Sequence, residues 1–445
     1  MSVLVSELND YAAQFSRIID QLPGQGLDWL DRLRRDAIER FVELGFPTTR
    51  LEDWKYTNVN PISRLTFQPA LHSWNGALPT GLRAQLDPFT SPRLVFIDGI
   101  LEPALCLNEH GNSGLQLSGL AESLRDPMQA AVLESCLGRY AGTAHHAFVA
   151  WNTAFFADGA VVAIPVRTAV SHPLHLVFVS TGADEALATY PRNLIVVGEG
   201  SRVALVEVFL SVAGGAYLTN AVTEIVGGPG AVIDYYKMEQ ESSAGFHVAA
   251  VKVSLGRDAT LKSHSFSFGA GLARNDLSVV LDGEGSACNL DGLFIVDGHR
   301  LVDNHTEIDH RKPYATSREL YKGILSGHAQ GVFNGAIKVR EGAQKANAVQ
   351  HSKNLLLSEN AQINTKPQLE IRADDVRCAH GASIGQLDQD AMFYLKTRGV
   401  DERVGRQILI RGFATEILDR VHVPHIRRQL ETLLDGWFEK KLEAV

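Results

Sequence analysis

Cys378 and His380 stand two residues apart in the stretch Asp374-Asp-Val-Arg-Cys-Ala-His-Gly-Ala-Ser383. On an extended strand that spacing puts both side chains on one face. A thiolate beside an imidazole can hold a soft or borderline metal ion, or a persulfide sulfur. Two ligands do not close a coordination sphere, so a metal site built on this pair needs further ligands from a partner chain. The same residues read equally well as a packed thiol and a structural imidazole. Both readings stay open on residue type alone.

Other chemistry-bearing residues are less coherent. His299, His305 and His310 share a segment with Asp303, Glu307 and Asp309, but their spacing fixes no ligand geometry. A solvated loop with hydrogen-bonded histidines is expected there. Gly381-Ala-Ser-Ile-Gly385 matches the hydrolase pattern GxSxG, with Ser383 as nucleophile and His422 or His425 as base. Such an elbow needs a helix starting at the serine within an α/β sheet, whereas all-β sequence precedes it and the helix begins several residues later. A plain strand-to-helix turn is expected. No GxxxxGK[ST], HExxH or strand-linked GxGxxG occurs, and Gly198-Glu-Gly-Ser-Arg202 reads as a turn between strands. Cys106, Cys136 and Cys288 lie far from one another and from Cys378, with no CxxC, so neither a disulfide framework nor a zinc ribbon is suggested. Cys288, flanked by apolar residues, reads as packing. A β-helical polysaccharide enzyme would show paired carboxylates. Asp374 and Asp375, read as adjacent strand residues facing opposite ways, make a poor pair.

The elements that must carry these residues show two periodicities. From about Val161 the period is two, as in Leu174–Val179 and Asn193–Val197, and glycines separate the short strands. A small residue recurs where a strand leaves a turn: Ser201, Ala231, Ala259, Ala287, Ala329, Ala343 and Ala361, at intervals of 30, 28, 28, 42, 14 and 18. Such near-multiples of a short coil predict a β-helix, or solenoid, over residues 158–385, with a large sandwich as the alternative. Residues 1–157 read as mostly helical. Leu4, Leu8, Tyr11, Phe15, Ile18, Ile19 and Leu22 form one apolar stripe, a second helix runs from Trp29 to Leu44 and stops at Gly45, and Leu120 to Phe156 is helical again. Pro61, Pro69 and Pro79 mark the loops between. Residues 386–445 return to helical spacing. Asp388 caps a helix to Arg398, Gly399 stops it, and Asp401 caps the next, with Val404, Ile408 and Ile417 on its apolar face. Pro424 separates a last helix, from Ile426 to about Leu442. This tail should cap the solenoid and offer a docking face, and deletion beyond Gly399 is expected to leave the β region folded.

The 445 residues carry 51 acidic against 42 basic side chains, a net charge of -9, and no basic stripe, which argues against nucleic acid as a partner. The start lacks a basic n-region and continuous apolar core, and no apolar run is long enough to span a bilayer, so a soluble cytoplasmic protein with no membrane role is expected.

Several segments are more specific: Gly45-Phe-Pro-Thr-Thr-Arg-Leu-Glu-Asp-Trp-Lys-Tyr-Thr57, Asn360-Ala-Gln-Ile-Asn-Thr-Lys-Pro-Gln-Leu-Glu-Ile371, Val376-Arg-Cys-Ala-His-Gly-Ala-Ser383 and Gly385-Gln-Leu-Asp388. Through nearly its whole length the chain resembles SufD-type members of the SufB/SufD family of iron–sulfur cluster assembly scaffolds. The Leu-Glu-Asp-Trp-Lys-Tyr-Thr element and the absence of cysteine-rich stretches favour the SufD over the SufB branch. The resemblance implies a mainly β protein with a right-handed parallel β-helix between N-terminal and C-terminal helical domains. It implies a non-catalytic scaffold that pairs with SufB along β-helix edges, docks the SufC ATPase on its C-terminal helices, and shares a transient iron–sulfur cluster with SufB, none being held stably by the chain alone. A flavin in the complex and a homodimer of the isolated chain are further associations the resemblance allows. On the family pattern His380 matches the residue that faces a SufB cysteine at the subunit boundary, with Cys378 its neighbour. The match does not decide which of the two binds iron.

Overall fold

The computed structural model describes residues 2–72, 74, 81–107, 114–182, 186–212 and 214–442, with side chains from residue 10 to residue 439 among them. Pro79 and the side chains of Leu4 and Leu8 lie outside the described residues. From Ala160 to Gly385 alternating apolar residues build strand after strand, with no intervening helix among the described residues. Apart from Leu187–Thr189 and Arg192–Val197, which follow one another in the first sheet and both pair with Tyr217–Gly227, successive strands alternate between two sheets and pair in parallel with the next strand of their own sheet, which gives a solenoid of about eight turns. In the second sheet Arg202 pairs with Val232, Val232 with Thr260, Thr260 with Ala287, Ala287 with Thr316 and Thr316 with Asn347, so one turn takes 27 to 31 residues.

The recurrent small residue has a clear job. Ser201, Ala231, Ala259 and Ser286 each donate their N–H to a glycine carbonyl three residues back, closing the turn just before a strand of the second sheet. The intervals read from sequence mixed two columns. Ala329 and Ala361 precede strands of the first sheet, Ser286 rather than Ala287 holds the turn position, and buried Ala315 supplies the omitted turn.

Side chains facing inward fill the lumen as an apolar stack, including Val203, Leu205, Ile233, Leu261, Leu290, Phe294 and Ile308. Fully burying one such side chain contributes about 1.5–3 kcal/mol. Where a large ring enters the stack, the neighbouring turn recedes. Gly292 is in register with Tyr321, and Gly323 with Phe294. A Cβ at Gly292 would fall 2.2 Å from the Tyr321 ring.

Three segments depart from the sequence reading. His299–His310 is no loop: Leu301–His310 is an interior strand of the first sheet, whose Val302 and Ile308 face the core while Asp303, His305, Glu307 and Asp309 alternate outward. The charges line one outward face, on which Asp303 and Asp309 are buried and His305 and Glu307 partly exposed. Asp374 and Asp375 lie in a turn, not on a strand. The N-terminal region also contributes strands. Arg93–Ile97 pairs in parallel with Leu174–Ser180, and Gln116–Gly119 pairs antiparallel with Ala160–Ile164, so this region covers the first turn. Its helices Asp28–Leu44 and Ala147–Phe155 enclose an aromatic cluster in which Phe41 stacks on Trp151 with ring centroids 5.2 Å apart.

The Glu52–Thr57 segment reaches from the N-terminal region along the outer face of the first sheet. Arg274 is the peg that holds it. Its guanidinium lies 4.3 Å over the Trp54 ring, donates to the Asp53 carbonyl at 2.8 Å, and pairs with Asp276 at 2.7 Å and Asp303 at 2.6 Å. Thr57 donates to Asp303, and Glu52 pairs with Lys366 in the last turn. Burial, the largest single influence, would raise the Asp276 and Asp303 carboxyls, but Arg274 together with His146 at Asp276, and with His305 and Thr57 at Asp303, outweighs it and holds both below the usual range.

The C-terminal helices Gln389–Thr397, Glu402–Leu418 and Pro424–Leu442 start on the expected signals. Asp388 accepts from the N–H groups of Asp390 and Ala391, Asp401 from that of Arg403, and Gly399 takes a φ of 81°. Two expectations fail. Val404 and Ile408 are exposed rather than part of the packed face. Nor is the tail detachable: Ile410, Ala414, Ile417, Ile426 and Leu430 share a core with Val206, Tyr236, Phe266, Leu293 and Ile324 on the outer face of the second sheet. Arg420 pairs with Asp291 at 2.6 Å, and His425 bonds His175 at 2.9 Å. Deleting these helices would uncover an apolar sheet. At the far end the two sheets finish in Gln362–Ile371, with Pro367 at its middle, and Arg377–Gly385; no described strand pairs with the outer edge of either.

Replacing Gly292 by Ala should destabilise the chain by about 1–3 kcal/mol through overpacking against Tyr321, measured as a lower urea midpoint with unchanged slope. Arg274→Met should cost about 3–5 kcal/mol, because it strands two buried carboxylates. The depressed Asp276 and Asp303 values make their contribution full above pH ~4 and lost as pH falls through the folded values. Urea titrations should therefore show the Arg274→Met penalty shrinking at acid pH.

Candidate functional site

Cys378 and His380 come together on Arg377–Gly385, the last strand of the second sheet. Cys378 is in register with Ala348 and His380 with Gln350, both buried in the lumen, so the two candidates share the inward face of the final turn. No later turn among the described residues covers them. Cys378 is half-buried and touches the end of the apolar stack, while His380 is exposed. Arg377 donates its backbone N–H to Ala346. Alternation along a parallel strand then turns the N–H groups of Cys378 and His380 outward, toward the open edge.

Partial burial pushes the Cys378 thiol up, partly offset by a backbone hydrogen bond from Ala348. The thiol is therefore protonated at neutral pH, and an incoming metal ion or partner cation must displace the proton before sulfur can ligate. Among the described residues no three His, Cys, Asp or Glu side chains converge on a metal-sized site. The pair stands on an edge that no described strand closes.

The other candidates separate cleanly. Ser383 lies on the same straight strand, with the next helix starting only at Gln389. His425 bonds His175 on the first turn, seven strand spacings from Ser383, roughly 34 Å along the solenoid axis. His422 sits against Tyr236. Ser383 therefore forms no dyad with either of these histidines. His305 Nε2 lies 3.1 Å from Asp303 Oδ1, and His299 stacks on His328 in the adjacent turn. His310 faces inward against Ser317 at 2.9 Å, and burial lowers its imidazole to about 4. Cys288 is buried in the lumen, and desolvation followed by nearby Glu319 pushes its thiol far up, which makes it inert packing.

Sequence reading missed the groups behind the site. Glu319 and Gln350 occupy the column that ends in His380. Their only signal is spacing: 31 and 30 residues apart, one turn each. That column could be aligned only once the turn length was known.

Comparison with known proteins gives a consistent answer. The family description "SUF system FeS cluster assembly, SufBD core domain" matches residues 178–413, and "SufBD protein N-terminal region" matches residues 5–176. A protein of Synechocystis named iron-sulfur cluster assembly SufBD family protein slr0076 is 31% identical over 89% of this chain and 88% of its own length. Iron-sulfur cluster assembly protein SufD of Escherichia coli is 30% identical over 88% and 89%, and the SufD of Bacillus subtilis is 26% identical over 92% and 93%. Among the described residues no helix is long and apolar enough to cross a membrane. With both of its regions matched and its relatives aligned along most of their length, the chain belongs to the SufBD family of the SUF system for iron–sulfur cluster assembly.

Proposed function

We propose that this chain is a non-catalytic scaffold subunit that pairs with a SufB-type sister subunit and contributes Cys378 and His380 to a nascent iron–sulfur cluster shared across the boundary. The observation that carries this reading is the placement of a thiol and an imidazole, with no third ligand among the described residues, on the last strand of a solenoid, whose outer edge no described strand pairs. A parallel strand from a second solenoid could continue the sheet there and bring the missing ligands. The cluster in this scheme is the cargo being built. The chain's own part is to hold a sulfur and a nitrogen donor on a rigid edge. Without the sister subunit, the same edge is free to pair with a second copy of this chain.

The ATPase partner is assigned to the C-terminal helices. Helices Gln389–Thr397 and Glu402–Leu418 pack together, yet Phe393 is 69% exposed and Ile408 46%, with Tyr394 and Val404 beside them in sequence. Exposed apolar side chains grouped on two adjoining helices suit a protein partner. The seating of Glu402–Leu418 on the second sheet would pass a push from that partner to the solenoid as a rigid-body shift.

His380→Ala should lower iron–sulfur enzyme activity in cells to about a tenth or less, while Cys288→Ala leaves it near wild type and both variants still co-purify with the sister scaffold and ATPase. Wild-type activity from His380→Ala in an intact complex would remove it as a ligand; dissociation of the complex would make it an interface residue instead. For the helices, the double substitution Phe393→Ser and Ile408→Ser should weaken ATPase capture at least about tenfold, with the thermal midpoint unchanged because both side chains are exposed. Undiminished pull-down would move the docking surface elsewhere.

A further inference from the structure

His380 is the exposed end of a polar column. Next inward in register is Gln350, and next again Glu319. Neighbouring strands lie about 4.8 Å apart, so same-face side chains in one column are within reach of each other. Gln350 is fully buried, and its Nε2 donates to Glu319 Oε2 at 2.6 Å. The opposite wall of the lumen leaves room for it: a Cβ at Gly335 would fall 2.0 Å from Gln350 Nε2. One end of the amide is therefore anchored and its position is shaped. The other end, Oε1, is buried with no hydrogen-bond partner. A buried carbonyl oxygen left without a donor is costly and calls for an explanation.

We propose that Gln350 is the positioning residue for His380, its Oε1 accepting the ring N–H of His380 so that the other ring nitrogen presents its lone pair to the open edge. The proposal rests on the reading of His380 as a ligand. Imidazoles that bind metals ordinarily donate their second N–H to an oxygen, which fixes tautomer and ring orientation. An isolated amide could offer either end. Here Glu319, whose Oε2 accepts from the NH2 group, turns the oxygen the other way. Cys378 has no such support, since the residue behind it is Ala348. The column distinguishes the two candidates: it orients the imidazole, while the thiol is held only by its contact with the end of the apolar stack.

The test uses the full chain labelled with 15N-histidine, the His380 ring signals being assigned by their loss in His380→Asn. Wild type should show one dominant neutral tautomer. Gln350→Met, similar in length but without the acceptor, should average the two. Glu319→Gln, isosteric and uncharged, should free the amide to turn and give an intermediate result; it also decides the question alone if Gln350→Met fails to fold. Superimposable His380 signals in wild type and variants would overturn the proposal. A second measurement, iron affinity of the purified complex, should fall about 10- to 100-fold in Gln350→Met. A tautomer shift with unchanged iron affinity would support the positioning role and sink the ligand reading of His380, whereas lost affinity with an unchanged tautomer would overturn the positioning role.

Discussion

In-register parallel stacking is the constraint on which the rest of this molecule depends. Each strand pairs with the one a full turn later, so every side chain lies on its counterpart from the previous turn. One choice of residue then restricts its neighbours above and below. Tyr321 requires Gly292, Phe294 requires Gly323, and the Gln350 amide requires Gly335. The same stacking lines up Glu319, Gln350 and His380, and brings Arg274, Asp303 and Lys366 onto one outer face within reach of a single N-terminal segment. Residues scattered over hundreds of positions become neighbours because the turn length is nearly constant.

Polar groups inside the lumen sharpen that register. Lys237, fully buried, bonds His247 at 2.8 Å and Asn275 at 2.5 Å, and Thr219 donates to Glu241 at 2.6 Å. Burial drives Lys237 down to about 8 and Glu241 up to about 8. A cavity of about 20 Å³ beside Tyr235, Lys237 and Asn275 has room for a water molecule. A one-residue slip of any strand here would turn an ammonium or carboxylate from its partners toward apolar walls. An entirely apolar lumen would tolerate neighbouring registers far better.

What was legible in the sequence follows the range of the interactions. Period-two alternation, the Asp388 and Asp401 caps and the Gly399 stop are local, and each led to the right element. The small residue before a strand is nearly local, so it revealed the solenoid while its intervals mixed the two sheets. The stretch from His299 to His310 failed because its outward face is charged and its inward face includes Asn304, Thr306 and His310, so burial left little apolar trace. Val404 and Ile408 failed for the opposite reason: helical spacing identifies an apolar residue's angle around the axis but not whether this chain or another covers it. For the site, the Cys378–His380 pair was visible because two strand residues suffice to define a face. Gln350 and Glu319 were not, since their relation to His380 exists only across turns.

The end of the first sheet has a consequence for polymer formation. In Gln362–Ile371, Gln362 donates inward to Ala329, and Arg372, just past the strand, donates inward to Val339. Odd-numbered residues therefore turn their N–H groups outward, and Pro367, which has none, falls among them. A strand docking along this rim would find its ladder broken at mid-length. An unprotected cross-section of a stacked-coil protein is a template on which copies could elongate into a fibre. Pro367 acts as punctuation against that growth, limiting adhesion at this rim to short contacts on either side of a gap and leaving the proline-free rim of the second sheet as the better seam for a finite, two-body assembly.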